Sequence, residues 1–150
     1  MSKKVPRKYA RLRNSVIAAQ TLASAPYYAR QGNLEVRLAQ DVKDVKASQR
    51  LRYKIFYEEM TAHPNWRMKR TRRDIDAYDG ICDHLLVIDH AAPRKDAVVG
   101  TYRLLRQDVA DRFAGFYSSN EYDLSPLTSP EFRAQMGKDR QLLELGRSCV

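Results

Sequence analysis

The alternation of apolar and polar side chains predicts the first strand of the fold at residues 34–39. In LEVRLA, Leu34, Val36 and Leu38 alternate with Glu35 and Arg37. A period of two is expected of a strand that has one face on a core and the other in water.

A long helix is predicted to run from about residue 42 to residue 60. Asp41 can cap its N-terminus, and Asp44 would lie in its first turn. Apolar side chains recur along this segment at Val42, Val45, Ile55, Phe56 and Met60. The stretch TAHPN ends the helix, and the polar, basic residues up to Arg73 have no period. We therefore expect a loop there.

An antiparallel pair of strands is predicted further along the chain. HLLVID at residues 84–89 is short, apolar and β-branched near its end, and AVVGTYRLL at residues 97–105 is a second β-rich run. Residues 91–94 lie between them and have the composition of a turn.

The remaining elements complete the order β, α, β, β, α, β. Val109, Phe113 and Phe116 have helical spacing and predict a helix over residues 107–118. A loop should follow, then a helical turn or two at residues 131–137, then a final strand in LLELGRSCV at residues 142–150. We expect one α+β domain over residues 34–150, preceded by a basic arm at residues 1–33.

The charge balance favours anionic partners. The chain has 150 residues with 27 Lys+Arg against 18 Asp+Glu, a net charge of +9. Much of the excess lies in residues 1–13 and 67–73. Such a field suits an acidic carrier protein, an anionic membrane or nucleic acid. No zinc-finger spacing, RNP-type aromatic motif or zipper accompanies the basic runs, so no nucleic acid is expected. A solvated tail and a solvated loop are the simpler interpretation.

Several features favour a cytoplasmic location, with peripheral membrane contact left open. No apolar run approaches the roughly 18 residues that a membrane span requires. The triplet before Pro26 only superficially resembles a secretory cleavage site. Cys82 and Cys149 have neither metal-site nor disulfide spacing, so no metal is expected and a reducing compartment is the default.

One arginine is predicted to point into the protein. Arg103 shares a strand face with Val99 and Leu105. A buried arginine needs carboxylate partners, because an unpaired charge in a low dielectric is costly. Asp76 and Asp79, three residues apart just before the first hairpin strand, are the natural candidates.

Two further pairs of residues are candidates for a site. Arg52 and Phe56 are four apart and share a face of the long helix. Glu144 and Arg147 are three apart, so a regular strand would point them to opposite faces. Gly146 lies between them and predicts a bulge that would return both to one face. The structural alternative is that all these charges only fix a loop against a sheet.

Taken in order, R-x3-F, D-x-x-D, G-x-x-R and E-x-x-R resemble the pattern of acyl-homoserine-lactone synthases, a branch of the GNAT-like acyltransferase fold. The stretches LRYKIFYEEM, RRDIDAYDGICDHLLVID, VVGTYRLLR, GFYSSNEYDL and LLELGRSCV are more similar to bacterial L-ornithine N-alpha-acyltransferases, over residues 35–150. Trp66 stands ten residues after Phe56, outside the spacing of lactone synthases. The resemblance implies a GNAT-like mixed sheet flanked by helices and incomplete at its C-terminus. It implies site residues at Arg52, Phe56, Asp76, Asp79, Arg103, Glu144 and Arg147.

The resemblance also implies a reaction without a bound cofactor. The alpha-amine of L-ornithine would attack the thioester of a 3-hydroxyacyl chain on acyl carrier protein, giving a lyso-ornithine lipid. Glu144 would be the general base, and backbone N–H groups at the Gly146 bulge would stabilise the oxyanion. Arg103 or Arg147 would hold the ornithine carboxylate, and Asp76 or Asp79 its side-chain ammonium.

Three alternatives stay open at this point. They are an acyl-CoA-dependent N-acetyltransferase of the same fold, a lactone synthase, and a non-catalytic basic module that binds membrane or nucleic acid. The final strand is expected to present an unpaired outer edge along residues 142–150. In a GNAT-like fold the next strand would form the other wall of the cleft, so the activity of this chain is also left open.

Overall fold

The residues that the structure describes form a five-stranded antiparallel sheet in which the strands follow one another in sequence order. The computed structural model describes residues 29–113, 115–137 and 140–150, so most of the expected basic arm lies outside the described residues. The strands are β1 (Ala29–Gln31), β2 (Leu34–Leu38), β3 (Asp83–Asp89), β4 (Val98–Arg106) and β5 (Leu143–Cys149). The described part of the sheet already includes Ala29–Gln31, which lies ahead of the expected domain start at residue 34.

Helices accompany the sheet, as expected of an α+β domain. They are α1 (Val42–Tyr53), α2 (Trp66–Thr71), α3 (Gln107–Arg112), α4 (Ser125–Thr128) and α5 (Pro130–Met136). A π-helix (Lys54–Glu59) continues α1, and two 3-10 helices lie at Tyr78–Gly80 and Tyr117–Asn120. A mixed sheet was expected, but every strand pairing in the described residues is antiparallel.

The predicted helix over residues 42–60 is confirmed in extent and differs in its last turns. The Asp41 side chain caps its start by accepting a 2.9 Å hydrogen bond from the backbone N–H of Asp44. Val45 and Arg52 lie on its buried face. The final segment winds as a π-helix, a form often found at functional sites.

The loop predicted for residues 61–73 is wrong in its centre, where α2 forms. Asn65 caps α2 by accepting a 3.0 Å hydrogen bond from the backbone N–H of Met68. Met68 is the one buried residue of this helix. A helix this short, with a single inward side chain, leaves no apolar period in the sequence.

The helix predicted for residues 107–118 is shorter than expected, and part of the predicted loop after it is helical. α3 ends at Arg112, and Gly115 adopts a φ of 73°, which a helix cannot contain. Val109 and Phe116 nevertheless pack with Leu105 in one core cluster, which explains their spacing. A second cluster joins α1 to β3, through Val45, Ala39, Leu86 and Ile88.

β5 is an edge strand. Among the described residues it pairs with β4 alone, which confirms the open outer edge expected along this segment. In the described part of the chain, no helix combines the length and apolarity needed to cross a membrane.

Candidate active site

A bulge in β5 shapes the candidate site. Arg103 of β4 is opposite Gly146, and Thr101 is opposite Cys149, so two steps along β4 match three along β5. The bulge predicted from Gly146 is therefore confirmed. The residue with left-handed backbone is its neighbour Arg147, at φ 49°, a conformation that disfavours a residue with a Cβ.

The bulge brings Glu144 and Arg147 to one cavity. This cavity has a volume of about 190 Å³ and lies between β4, β5 and the 3-10 helix at residues 117–120. Its charged lining consists of Arg103, Arg147, Glu144 and Glu121. A regular pleat would have separated Glu144 from Arg147, so the irregular backbone is what assembles this lining.

Arg103 points inward, as predicted, and its guanidinium is held by two aspartates. Nη1 lies 2.7 Å from both carboxylate oxygens of Asp76 and 3.3 Å from Oδ1 of Asp79. The rings of Tyr78 and Tyr117 flank it, at 5.8 and 6.0 Å from the guanidinium carbon. Burial opposes the charge of Arg103, but Asp76 and Asp79 outweigh it and raise its pKa. In turn burial opposes the charge of Asp76, yet Arg103 holds the pKa of this carboxyl below its usual range.

Arg52 lies beneath the cavity and does not line it. Its side chain is fully buried, with Nε 2.8 Å from Oδ2 of Asp74 and Nη2 2.7 Å from Oδ1 of Asp79. Burial opposes its charge, and Asp79 and Asp74 together raise its pKa. Asp79 also accepts a 3.1 Å hydrogen bond from Nε2 of Gln49. Arg52 and Asp79 thus form a buried ion pair that supports the residues lining the cavity.

Asp74 is a central residue that the sequence analysis missed. It is 1% exposed, pairs with Arg52 and accepts a 3.0 Å hydrogen bond from the Tyr57 hydroxyl. It lies outside the D-x-x-D pair and in a segment without periodicity, so no pattern marked it. Tyr57 was equally unmarked, although it lies one residue after Phe56 on the π-helix.

Among Arg52, Arg103 and Arg147, Arg147 has the longest distances to carboxylate oxygens. Its guanidinium nitrogens lie 3.7 Å from Asp74 and 3.8 Å from Asp76, both beyond hydrogen-bonding distance. The guanidinium carbon lies 5.9 Å from the centre of the Phe56 ring, so the π-helix supports it through a cation–π contact. Its side chain stays 29% exposed, which leaves donors available to a ligand.

Glu144 ties the 3-10 helix to the sheet. Its carboxylate accepts hydrogen bonds from the backbone N–H groups of Tyr117 and Ser118, at 2.8 and 2.7 Å, and from the Ser118 hydroxyl. An ionised carboxylate has about four acceptor sites, so roughly one remains for a further donor. Glu121 follows this 3-10 helix, and its exposed side chain lines the cavity without an ion pair to any described residue. The sequence analysis did not mark Tyr117, Ser118 or Glu121 as candidate site residues.

Cys82 also lines the cavity but is chemically quiet. Burial raises the pKa of its thiol to about 12, so the reactive thiolate is scarce at neutral pH. The described residues contain no group of three or more His, Cys, Asp or Glu side chains placed to hold a metal ion. The polar groups of the cavity are thus carboxylates, guanidinium groups and hydroxyls.

The chain was compared with known proteins. A family model described as an acetyltransferase (GNAT) domain matches residues 51–150. The L-ornithine N(alpha)-acyltransferase of Rhizobium meliloti is 46% identical over 123 residues, covering 81% of this chain and 40% of that protein. The enzyme of the same name from Agrobacterium fabrum is 43% identical over 125 residues, covering 82% and 41%. The one from Rhodobacter capsulatus is 42% identical over 131 residues, covering 86% and 46%. The chain thus spans less than half the length of these relatives, and no solved structure matches it.

Proposed function

The chain belongs to the GNAT acetyltransferase family, and on that basis we propose that it transfers a 3-hydroxyacyl chain to the alpha-amine of L-ornithine. The names of the relatives support ornithine as the acceptor. The structural observation that supports it most is the bulge at Arg147. The bulge places a guanidinium that has no carboxylate within hydrogen-bonding distance in a cavity that is also lined by carboxylates. An amino acid with a carboxylate and an ammonium group needs both signs of charge.

Arg147 is the residue to which we assign the ornithine carboxylate. Arg103 already contacts both oxygens of Asp76 at 2.7 Å, whereas the carboxylate contacts of Arg147 are 3.7 and 3.8 Å. A guanidinium that has no carboxylate within hydrogen-bonding distance can bind one through two parallel hydrogen bonds. Arg103 would then position Asp76 rather than touch the substrate.

Glu121 is our candidate for the side-chain ammonium. Asp76 and Asp79, the two candidates from the sequence, neutralise Arg103 and Arg52 in the structure. An ammonium would have to compete with these buried pairs. Glu121 lies on the cavity wall and is exposed, so a ligand can pair with it at little desolvation cost.

Glu144 remains our candidate for the general base. The amine nitrogen attacks the thioester carbonyl, its proton passes to Glu144 directly or through water, and the thiolate leaves with a proton returned to sulfur. Backbone N–H groups at the Gly146 bulge are candidates to stabilise the oxyanion, because a bulge leaves ladder donors unpaired.

The donor that we propose is the thioester of a 3-hydroxyacyl chain on acyl carrier protein, which makes the product a lyso-ornithine lipid. The basic surface suits an acidic carrier. Acyl-CoA is the alternative donor, because the matching family model is described as an acetyltransferase domain. The setting we propose is the cytoplasm, in keeping with two free, buried thiols.

Mass spectrometry of a reaction with 3-hydroxyacyl carrier protein and L-ornithine tests the proposal. The expected product is the amide of ornithine with release of the carrier thiol. Parallel reactions with acyl-CoA, and with S-adenosylmethionine in place of ornithine, separate the competing donors and acceptors. A product only from acyl-CoA would overturn the carrier-protein assignment.

Calorimetric binding of L-ornithine tests the acceptor site independently of turnover. Glu121→Gln should weaken binding of ornithine about tenfold and leave binding of L-norvaline, which lacks only the side-chain ammonium group, unchanged. Glu131→Gln, at an exposed acid of α5, is the matched control. Equal effects of Glu121→Gln on both ligands would contradict the assignment.

A further inference from the structure

α2 forms a basic platform with an exposed tryptophan. We define it as Trp66, Arg67, Lys69 and Arg70. Trp66 is 74% exposed, among the most exposed large apolar side chains of the described residues. The three basic side chains are exposed as well, and no acidic side chain in the described part of the chain lies within ion-pair distance of them.

Helical geometry gathers these four side chains on one side. Successive residues of a helix are rotated by about 100°, so Trp66 lies between Lys69 and Arg70, with Arg67 next to Arg70. The same rotation directs Met68 to the opposite side, where it is buried. The platform therefore presents an indole surrounded by three cations, and its only inward side chain anchors it.

The platform is fixed rather than a loose loop. Asn65 caps its start, and the Thr71 hydroxyl donates a 2.9 Å hydrogen bond to the carbonyl of Arg67. At its end, Arg72 pairs with Glu58 and lies over the ring of Tyr53, with the guanidinium carbon 5.5 Å from the ring centre. These contacts hold the indole of Trp66 in a fixed position in water, where its apolar surface is unfavourable. Exposed apolar surface of this kind often marks an interaction site.

We propose that this platform docks the protein on a membrane surface containing anionic phospholipids. Tryptophan prefers the headgroup region, where its apolar ring and its N–H group are both accommodated. Basic side chains beside it are attracted by anionic headgroups and raise the affinity further. An acidic protein would satisfy the cations equally well, but a single exposed indole among exposed basic side chains fits a lipid interface better. The proposal does not depend on the identity of the acyl acceptor.

The intrinsic fluorescence of the protein makes a direct test possible, because Trp66 is its only tryptophan. Vesicles of phosphatidylglycerol and phosphatidylcholine should shift the emission to shorter wavelengths, and brominated lipids should quench it. Vesicles of phosphatidylcholine alone should have a much weaker effect. Emission that stays unchanged while the protein co-sediments with anionic vesicles would overturn the proposal, since another surface, such as residues 1–13, would then be responsible.

A matched pair of triple variants tests the contribution of the charges. Arg67→Gln, Lys69→Gln and Arg70→Gln together should lower the vesicle partition coefficient roughly a hundredfold, because each basic side chain near an anionic surface strengthens binding about fivefold. Arg30→Gln, Arg94→Gln and Lys95→Gln remove the same charge from exposed positions outside the platform, in β1 and in the turn between β3 and β4, and should have little effect. Equal losses in the two triple variants would refute the platform. A shift of Trp66 emission with acyl carrier protein but not with vesicles would assign it to protein docking instead.

Discussion

Arg52 and Asp74 form a salt bridge of 2.8 Å in which neither side chain is more than 1% exposed. Removing one partner of such a pair leaves the other charge buried without compensation, which is among the most destabilising changes that a protein can undergo. The pair joins α1 to the segment before β3, and Tyr57 and Asp79 extend it towards the cavity.

Asp74→Asn should therefore lower the free energy of unfolding by about 3–5 kcal/mol. Urea denaturation measures the change. Asp83→Asn is the matched control, because Asp83 pairs at 2.9 Å with a more exposed arginine, Arg106, and should cost at most about 1 kcal/mol. Similar losses in the two variants would show that the buried pair stabilises the protein no more than the exposed pair does.

Arg147→Gly should separate ligand binding from stability. Glycine adopts a φ of 49° without strain, which relieves about 1 kcal/mol of backbone energy. The substitution also removes the cation–π contact with Phe56 and a cation near Asp74 and Asp76, which offsets this gain. We expect roughly unchanged thermal stability together with a loss of ornithine affinity of about tenfold or more in calorimetry. Full affinity would show that the carboxylate binds elsewhere.

Glu144→Gln tests whether this carboxylate acts in catalysis or only as an anchor. An amide presents a donor to the N–H groups of Tyr117 and Ser118, so some stability, about 1–3 kcal/mol, should be lost in either case. Ser118→Ala removes a single hydroxyl donor of the same anchor and is the control. If Glu144 is the base, kcat should collapse in Glu144→Gln and be largely retained in Ser118→Ala.

The stability of the protein should fall in mild acid because of His84. This ring is 2% exposed and is opposite Arg103 in the sheet. Burial lowers the pKa of His84 below its ordinary value of 6.5, partly opposed by Asp79 and reinforced by Arg52 and Arg103. Below that ordinary value, His84 is protonated in the unfolded chain, whereas in the folded protein it stays neutral until the pH reaches its lowered pKa.

The free energy of unfolding should therefore decrease as the pH falls through 6.5, by up to about 1.4 kcal/mol per pH unit. Urea titrations between about pH 7.5 and about pH 5 measure this slope and stay above the range in which Asp76, with its lowered pKa, is protonated. His84→Gln should flatten the slope, and His63→Gln, at an exposed position, should not. A slope that persists in His84→Gln would contradict this account.

Period-two and glycine signals predicted the local geometry of β4 and β5 around the cavity, whereas helical signals missed α2 and overestimated the length of α3. The inward position of Arg103 follows from its strand face, and Asp76 and Asp79 follow from the need to neutralise it. Gly146 marked the bulge, although the strained residue is Arg147. The sequence cannot distinguish these two positions, because bulge geometry depends on which side chain finds support, here from Phe56.

Residues whose role depends on contacts distant in sequence escaped prediction. Asp74 contacts Arg52 and Tyr57, and Ser118 contacts Glu144, and no repeating pattern along the chain marked either residue. α2 escaped for a related reason, since Met68 is its only buried side chain and Asn65 is the sole sequence signal for its start. Local patterns record burial that repeats along an element, and these contacts do not repeat.

The central cluster is electrically balanced. Its three guanidinium groups, of Arg52, Arg103 and Arg147, face three carboxylates, of Asp74, Asp76 and Asp79. The net +9 of the chain must therefore come from residues outside this cluster. Mobile ions screen exposed charges over about 8 Å at physiological ionic strength and penetrate buried pairs far less. Added salt should thus weaken the electrostatic attraction between the protein and anionic partners, while the internal geometry of the site stays intact.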